Sequence, residues 1–173
     1  ENYMIEKYYL ESDINEIVQN LSKYKKNFSG KSFLISGANG FLGKYFIKTL
    51  IKLNETTDKK IKIYAIDIKF DNCDIYLNSC VKKMRQDINK IGNLKFKSDY
   101  VLHAAGIPSP KNYFKKPIEA IFTSITGTKK LLEYSKKNKS KFIFFSSSEI
   151  YGNPDKKNIP TKESYNGNVS SIE

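Results

Sequence analysis

A short apolar run, a glycine-rich turn and an amphipathic helix in immediate succession leave a chain few folds to choose from, and residues 33–53 read this way. Phe33-Leu34-Ile35 is the apolar run. Gly37-Ala38-Asn39-Gly40-Phe41-Leu42-Gly43 is the turn. From Phe41 to Leu53 the apolar residues Phe41, Leu42, Tyr45, Phe46, Leu50, Ile51 and Leu53 return at helical spacing. Between a strand and a helix, such a turn lets backbone N–H groups approach a pyrophosphate at the helix N-terminus. Gly37 permits the tight turn, Gly40 lets phosphates come close, and Gly43 lets the helix pack on the sheet. The expected cofactor contacts here are Gly37, Asn39, Gly40, Phe41, Leu42 and Gly43. An ordinary strand-to-helix turn is the alternative.

The rest of the chain repeats the alternation. Residues 12–27 carry Ile14, Ile17, Val18, Leu21 and Tyr24 at helical spacing, with Ser12 and Asp13 as N-caps. Residues 61–67 alternate and are β-branched, residues 81–85 form a short strand, and residues 100–104 form another. Pro108 and Pro110 are expected to keep the next loop irregular. A long helix is expected from Pro117 to Lys137, with Pro117 in its first turn. Phe142-Ile143-Phe144-Phe145 then reads as a buried strand of a covered sheet, within residues 141–146. Strand, helix, strand, connection, strand, helix, strand argues a doubly wound parallel α/β sheet. The expected division is a helical extension (1–29), a dinucleotide-binding domain (30–152) and a polar segment (153–173).

Composition excludes several classes. The 173 residues suffice for one domain with a core. No apolar run approaches the roughly 20 residues of a membrane span, and Glu1-Asn2-Tyr3-Met4 gives no expectation of a leader. Cys73 and Cys80 are too few and too badly spaced for a metal site or a disulfide framework, so reduced thiols in a cytoplasmic protein are expected. The net charge of +12 invites a nucleic-acid reading. Against it, Arg85 is the sole arginine among 30 basic residues, and the lysines are scattered. No nucleic-acid partner is expected, and a non-catalytic nucleotide- or RNA-binding module is retained only as a rival.

Four further positions carry chemistry. Asp67 ends the second strand, 24 residues past Gly43. A carboxylate there accepts from the ribose hydroxyls of NAD and repels the 2′-phosphate of NADP; a solvated strand-end aspartate is the alternative. Asp87-Ile88 follows the third strand and can hold an adenine amino group and flank its ring, unless it is surface polarity alone. His103-Ala104-Ala105-Gly106 closes the fourth strand. Ala104, Ala105 and Gly106 let the backbone pass beside the cofactor, and His103 is read as a packed, hydrogen-bonded residue in preference to a general base. Ser147, Ser148 and Glu149 stand where the 142–145 strand ends. A hydroxyl there can position a sugar alcohol for hydride removal, and a carboxylate can act as acid or base.

Taken together, the glycine turn, Asp67, Asp87-Ile88, His103 to Gly106 and Ser146 to Gly152 resemble the extended short-chain dehydrogenase/reductases, the NAD-dependent epimerase/dehydratase group, from about Gly30 onward. Pro108 to Pro117, Ile125-Thr126-Gly127-Thr128, Leu131-Leu132-Glu133 and Ser147-Ser148-Glu149 are most similar to the UDP-glucuronate decarboxylases. Glu163 to Val169 looks like the approach to their Tyr-x-x-x-Lys motif. The resemblance implies a Rossmann-type fold, tightly held NAD, a nucleotide-sugar substrate, pairing into a homodimer, and Ser147, Ser148 and Glu149 as catalytic residues. Ser148 stands where the 4,6-dehydratases carry an aspartic acid, and Glu149 where simple 4-epimerases usually lack a glutamate. Dehydratase and epimerase chemistry are therefore the alternatives. There are two departures. Ser124 stands in place of an asparagine, and no Tyr-x-x-x-Lys follows in family position, Tyr3 with Lys7 being read as chance. The resemblance thus implies the cofactor-binding half of a longer enzyme, truncated before the substrate domain and inert by itself.

Overall fold

The computed structural model describes residues 9–107 and 109–169. Pro108 and the Tyr3/Lys7 pair lie outside them. Among the described residues five parallel strands form one sheet: β1 (Ser32–Ser36), β2 (Lys62–Asp67), β3 (Val81–Arg85), β4 (Tyr100–His103) and β5 (Lys141–Phe144). Their order is β3-β2-β1-β4-β5. The chain winds outward from β1 through β2 to β3, then crosses back to lay β4 on the other side of β1. That reversal makes the carboxyl ends of β1 and β4 a topological switch point, the place where open α/β sheets bind ligands.

Alternating side chains along the strands feed two cores. On one face Phe33, Ile35, Ile63, Ala65 and Leu102 pack under α3 (Phe41–Leu53) through Ile47, Leu50 and Leu53. On the other, Leu34, Ile66 and Val101 pack with Leu131 and Tyr134 of α6 (Thr128–Asn138). The N-terminal helix α1 (Glu11–Leu21) lies on α3 and buries Ile14 in the first core; a 3-10 turn and the short α2 (Lys25–Phe28) complete the run. Tyr9 anchors its start: the phenol donates to both oxygens of Asp74, at 2.9 and 2.7 Å, while Lys48 sits over the ring.

Several expectations are corrected. Ser12 and Asp13 do not cap α1, which begins at Glu11 behind Leu10; the Tyr45 hydroxyl accepts from the Leu10 N–H and donates to Asp13. Pro110 does not keep its loop irregular. It opens the short α4 (Pro110–Lys115), where a residue without an N–H costs nothing. The helix from Pro117 is continuous to Asn138 but not uniform: α5 (Pro117–Phe122) passes through a π-turn at Thr123–Gly127 before α6. The largest correction concerns β5. It is an edge strand, with Ile143 43% and Phe144 53% exposed. Phe142 joins the second core and Phe145 stacks on Phe46, but no described element pairs with its outer edge.

Candidate functional site

The glycine-rich turn leaves β1 at Gly37, whose φ of +68° lies in the left-handed region. A Cβ there would stand 2.5 Å from the carbonyl oxygen of Ala104 and 2.6 Å from the nitrogen of Ala105. The first glycine is therefore required twice, by backbone conformation and by the contact that closes β1 onto β4 at the switch point. Gly43 is required by packing, since a Cβ would overlap the carbonyl oxygen of Gly37 and the backbone of Ala38. Gly40 differs. It has ordinary φ, and a Cβ would meet only Gly37 O, at 3.2 Å. The chain's own packing does not demand a glycine there; a ligand approaching the backbone would.

That approach leads to the N-terminus of α3. Gly40 precedes it with no side-chain cap, so the first N–H groups of the helix have no intrahelical acceptor and face outward. They suit an anionic diphosphate. Phe41 and Leu42 contribute through this backbone; the Phe41 ring leans on Tyr45 at 5.0 Å.

Asp67 ends β2 beside the turn. Its Oδ2 accepts from the Asn39 N–H at 2.9 Å and its Oδ1 from the Lys69 N–H at 3.3 Å. The carboxylate is thus oriented by the turn it serves. A clasp of contacts between residues distant in the chain holds both in place. The Tyr76 hydroxyl donates to the Ala38 carbonyl at 2.8 Å and lies 3.2 Å from Asn39 Oδ1. The Asp71 N–H donates to that same Oδ1 at 3.1 Å. Asp71 in turn receives the buried ammonium of Lys44 at 2.8 Å. The Lys44 charge, with help from Asn39, holds the Asp71 carboxyl below the usual range despite partial burial. Burial drives the Tyr76 phenol well above its ordinary pKa, so it stays a donor. The sequence did carry a signal. Lys44 stands three residues before Ile47 on the buried stripe of α3, and a lysine there requires a counter-charge.

Asp87 caps a 3-10 turn at Ile88–Lys90, its Oδ1 accepting from the Asn89 N–H at 2.9 Å. Ile88 is buried in the second core against Gly127 of the π-turn. At the end of β4 the Ala104 N–H bonds to Ser36 O at 3.1 Å, and Gly106 is open. His103 is spoken for on both sides. Thr128 donates its hydroxyl to Ser124 O, so its oxygen accepts from Nε2–H at 3.0 Å. Nδ1 then accepts from the Ser36 hydroxyl at 2.7 Å. Burial lowers the imidazole pKa, and the ring is a neutral strut between β1, β4 and α6. Ser124 bonds back to Ala120 O at 2.9 Å, on its own helix, and not toward the sheet's carboxyl edge.

Ser147, Ser148 and Glu149 follow β5 at the same edge and are exposed. Ser147 Oγ accepts from the Glu149 N–H at 3.2 Å, capping the turn at Ser148–Tyr151. The segment beyond folds back on this turn: the Asn168 N–H donates to Tyr151 O at 2.8 Å and the Asn153 N–H to Asn168 O at 3.0 Å. The turn is therefore held from both sides. The fold thus assembles at one sheet edge a helix terminus without a side-chain cap, an oriented carboxylate, a small-residue strand end, and two hydroxyls with a carboxylate. No helix among the described residues is long and apolar enough to cross a membrane.

Known proteins resemble this chain in sequence and in fold. The model of the NAD dependent epimerase/dehydratase family matches residues 33–171. The bifunctional polymyxin resistance protein ArnA of Wigglesworthia glossinidia brevipalpis is 31% identical over 141 residues, 79% of this chain and 20% of its own length. UDP-glucuronic acid decarboxylase 1 of Arabidopsis thaliana is 28% identical over 144 residues, 80% of this chain and 31% of its own. Among solved structures, UDP-glucuronic acid 4-epimerase from Bacillus cereus, in complex with NAD, superimposes with a TM-score of 0.57 at 28% identity, covering 72% of this chain and 42% of that one. The chain spans less than half the length of each of these proteins.

Proposed function

This chain belongs to the NAD-dependent epimerase/dehydratase family, and on that premise we propose that it is the cofactor-binding part of an enzyme that oxidises a UDP-sugar at C4. Its substrate in this reading is UDP-glucuronate and the product UDP-xylose. NAD is the family's cofactor, and the turn fits it, because Gly40 leaves room where the pyrophosphate backbone must pass. Asp67 accepts from the adenosine ribose hydroxyls, Asp87 receives the adenine amino group, and Ala104 to Gly106 flank the cofactor.

NAD, when bound, supplies the acceptor for the C4 hydride and returns it at the end of the cycle. The chain's own residues orient the sugar. The Ser147 oxygen is engaged by the Glu149 N–H, which leaves its proton to hold the C4 oxygen. Ser148 presents a second hydroxyl beside it, and Glu149 places a carboxylate near the ring for proton exchange. Oxidation at C4 puts a ketone β to the sugar carboxylate, and such an acid loses CO2 without further activation. The family's tyrosine and lysine pair is not supplied in family position by these 173 residues. We therefore expect this chain to bind NAD without turning over. A cytoplasmic setting and pairing with a second copy complete the reading.

The observation that carries the proposal is the Ser147-Ser148-Glu149 run at the β5 end, in the setting of a decarboxylase relative. The likeness to a UDP-glucuronic acid 4-epimerase favours one alternative, the same substrate handled without carbon loss. The test is to incubate the longer gene product with UDP-glucuronate and NAD and follow CO2 and the nucleotide-sugar product. CO2 with UDP-xylose is expected, and lost in Ser147→Ala and Glu149→Gln. UDP-galacturonate without CO2 would replace the decarboxylase with the epimerase.

A further inference from the structure

The end of β2 carries a charge pattern that NAD binding does not use. Asp67 and Arg85 are register partners at the last rung of the β2–β3 pairing, so their side chains leave the sheet on the same face. Arg85, the chain's only arginine, donates from Nε to the carbonyl oxygen of Ile68 at 3.1 Å. That bond holds the guanidinium over the residue that follows Asp67. Arg85 is exposed, and no carboxylate among the described residues forms an ion pair with it. Lys69 is exposed at the same rim, its N–H bonded to Asp67. Lys44 is different in kind: it is buried and its charge is met by Asp71. The ribose corner therefore presents the Asp67 carboxylate with two exposed cations at its rim, of which Lys69 also acts on the neighbouring Asp71 carboxylate, itself paired with Lys44.

We propose that Arg85 is a cofactor-specificity residue, giving this corner a real affinity for a 2′-phosphorylated dinucleotide, so that NADP is a second, weaker cofactor instead of an excluded one. The inference rests on the adenosine ribose lying at Asp67, as proposed above. Nε is committed to Ile68 O, but the two Nη groups of the planar fork remain to grip a phosphate. An arginine at this corner is how dinucleotide folds accommodate a 2′-phosphate, whereas a carboxylate serves the free hydroxyl. Here both are present, and they oppose each other: Asp67 repels the phosphate that Arg85 and Lys69 attract. A strand-end carboxylate alone predicts exclusion of NADP; with Arg85 pinned one residue away, the expectation becomes a graded preference for NAD.

The test is calorimetric binding of NAD+ and NADP+ to this chain, at low and physiological ionic strength, for the native sequence, Arg85→Ala, Arg85→Lys and Asp67→Asn. The native chain is expected to bind NAD+ more tightly and NADP+ measurably, with the NADP+ term weakening as salt screens it. Arg85→Ala should weaken NADP+ about tenfold while moving NAD+ by less than about twofold. Arg85→Lys, which keeps charge but loses the fork, should fall between. Asp67→Asn should shift the preference toward NADP+. The proposal is overturned if the native chain binds no NADP+, if Arg85→Ala leaves NADP+ unchanged, or if it weakens both dinucleotides alike, which would make Arg85 a strut for the Ile68 backbone. Misplacement of the ribose reads differently, since Asp67→Asn would then leave both affinities unaltered.

Discussion

Gly37 and Gly40 stand three residues apart in one turn, yet the structure surrounds them differently, and alanine at each is expected to fail in a different assay. Gly37→Ala forces a side chain into the left-handed region at φ +68°, which costs about 1–2 kcal/mol. It also sets a Cβ 2.5 Å from Ala104 O and 2.6 Å from Ala105 N. Those neighbours are backbone at the end of a core strand and cannot swing aside, so β1 and β4 must part, adding about 1–3 kcal/mol. The total is about 2–5 kcal/mol. For a chain of this size that lowers Tm by roughly 4–20 °C. Gly40→Ala has no such conflict, with ordinary φ and one contact at 3.2 Å. It should cost no more than about 1 kcal/mol of stability. Its Cβ, however, would occupy the proposed path of the pyrophosphate, and overlap of about 1–3 kcal/mol there would weaken NAD binding by roughly 5- to 150-fold. Calorimetric melting and NAD titration of the two variants make the comparison. Equal loss of Tm in both, with NAD affinity retained in Gly40→Ala, would refute the assignment of Gly40 to the ligand and of Gly37 to the fold.

Acid should destabilise the chain through two paired aspartates. Lys44 holds the Asp71 carboxyl below its usual range, and for Asp99 burial pulls upward but the hydrogen bonds from Ser32, with Lys31, outweigh it. Both therefore bind fewer protons folded than unfolded, so their stabilisation is complete above the unfolded value near about 4 and is lost as pH falls through their lower folded values. A Tm profile from pH 6 downward should drop across that window, and more shallowly in Asp99→Asn; identical profiles would contradict the pairing. His103→Ala should cost about 2–4 kcal/mol of stability, since it empties a buried site and strands the Ser36 and Thr128 hydroxyls; a stable variant that loses only turnover in the longer enzyme would instead make His103 a chemical group. Ile143→Thr on the exposed edge strand should cost less than about 1 kcal/mol. Leu34→Ala in the core should cost about 2–5 kcal/mol, and urea midpoints that reversed this order would show β5 to be covered.

The local pattern of residues 33–53 was sufficient to specify strand, turn and helix, because a positive-φ turn and a 3.6-residue apolar repeat are properties of neighbouring residues. The same holds for β2, β3 and β4, and for the helix expected from Pro117 to Lys137, though not for the π-turn at Thr123–Gly127 within it. The parallel alternation narrowed the sheet to a doubly wound one, and the carboxyl edge followed as the place to seek a ligand. The strand order itself, β3-β2-β1-β4-β5, brings Ala104 onto Gly37 across 67 residues, and no periodicity records that contact. Lys44 with Asp71, Tyr76 on Ala38, Arg85 on Ile68 and His103 between Ser36 and Thr128 are likewise long-range pairs. β5 shows the limit most directly. Four successive apolar residues describe a strand fit for burial, but a strand is buried only if other elements come to lie on both of its faces and its outer edge, and that depends on tertiary placement and not on the strand's own sequence.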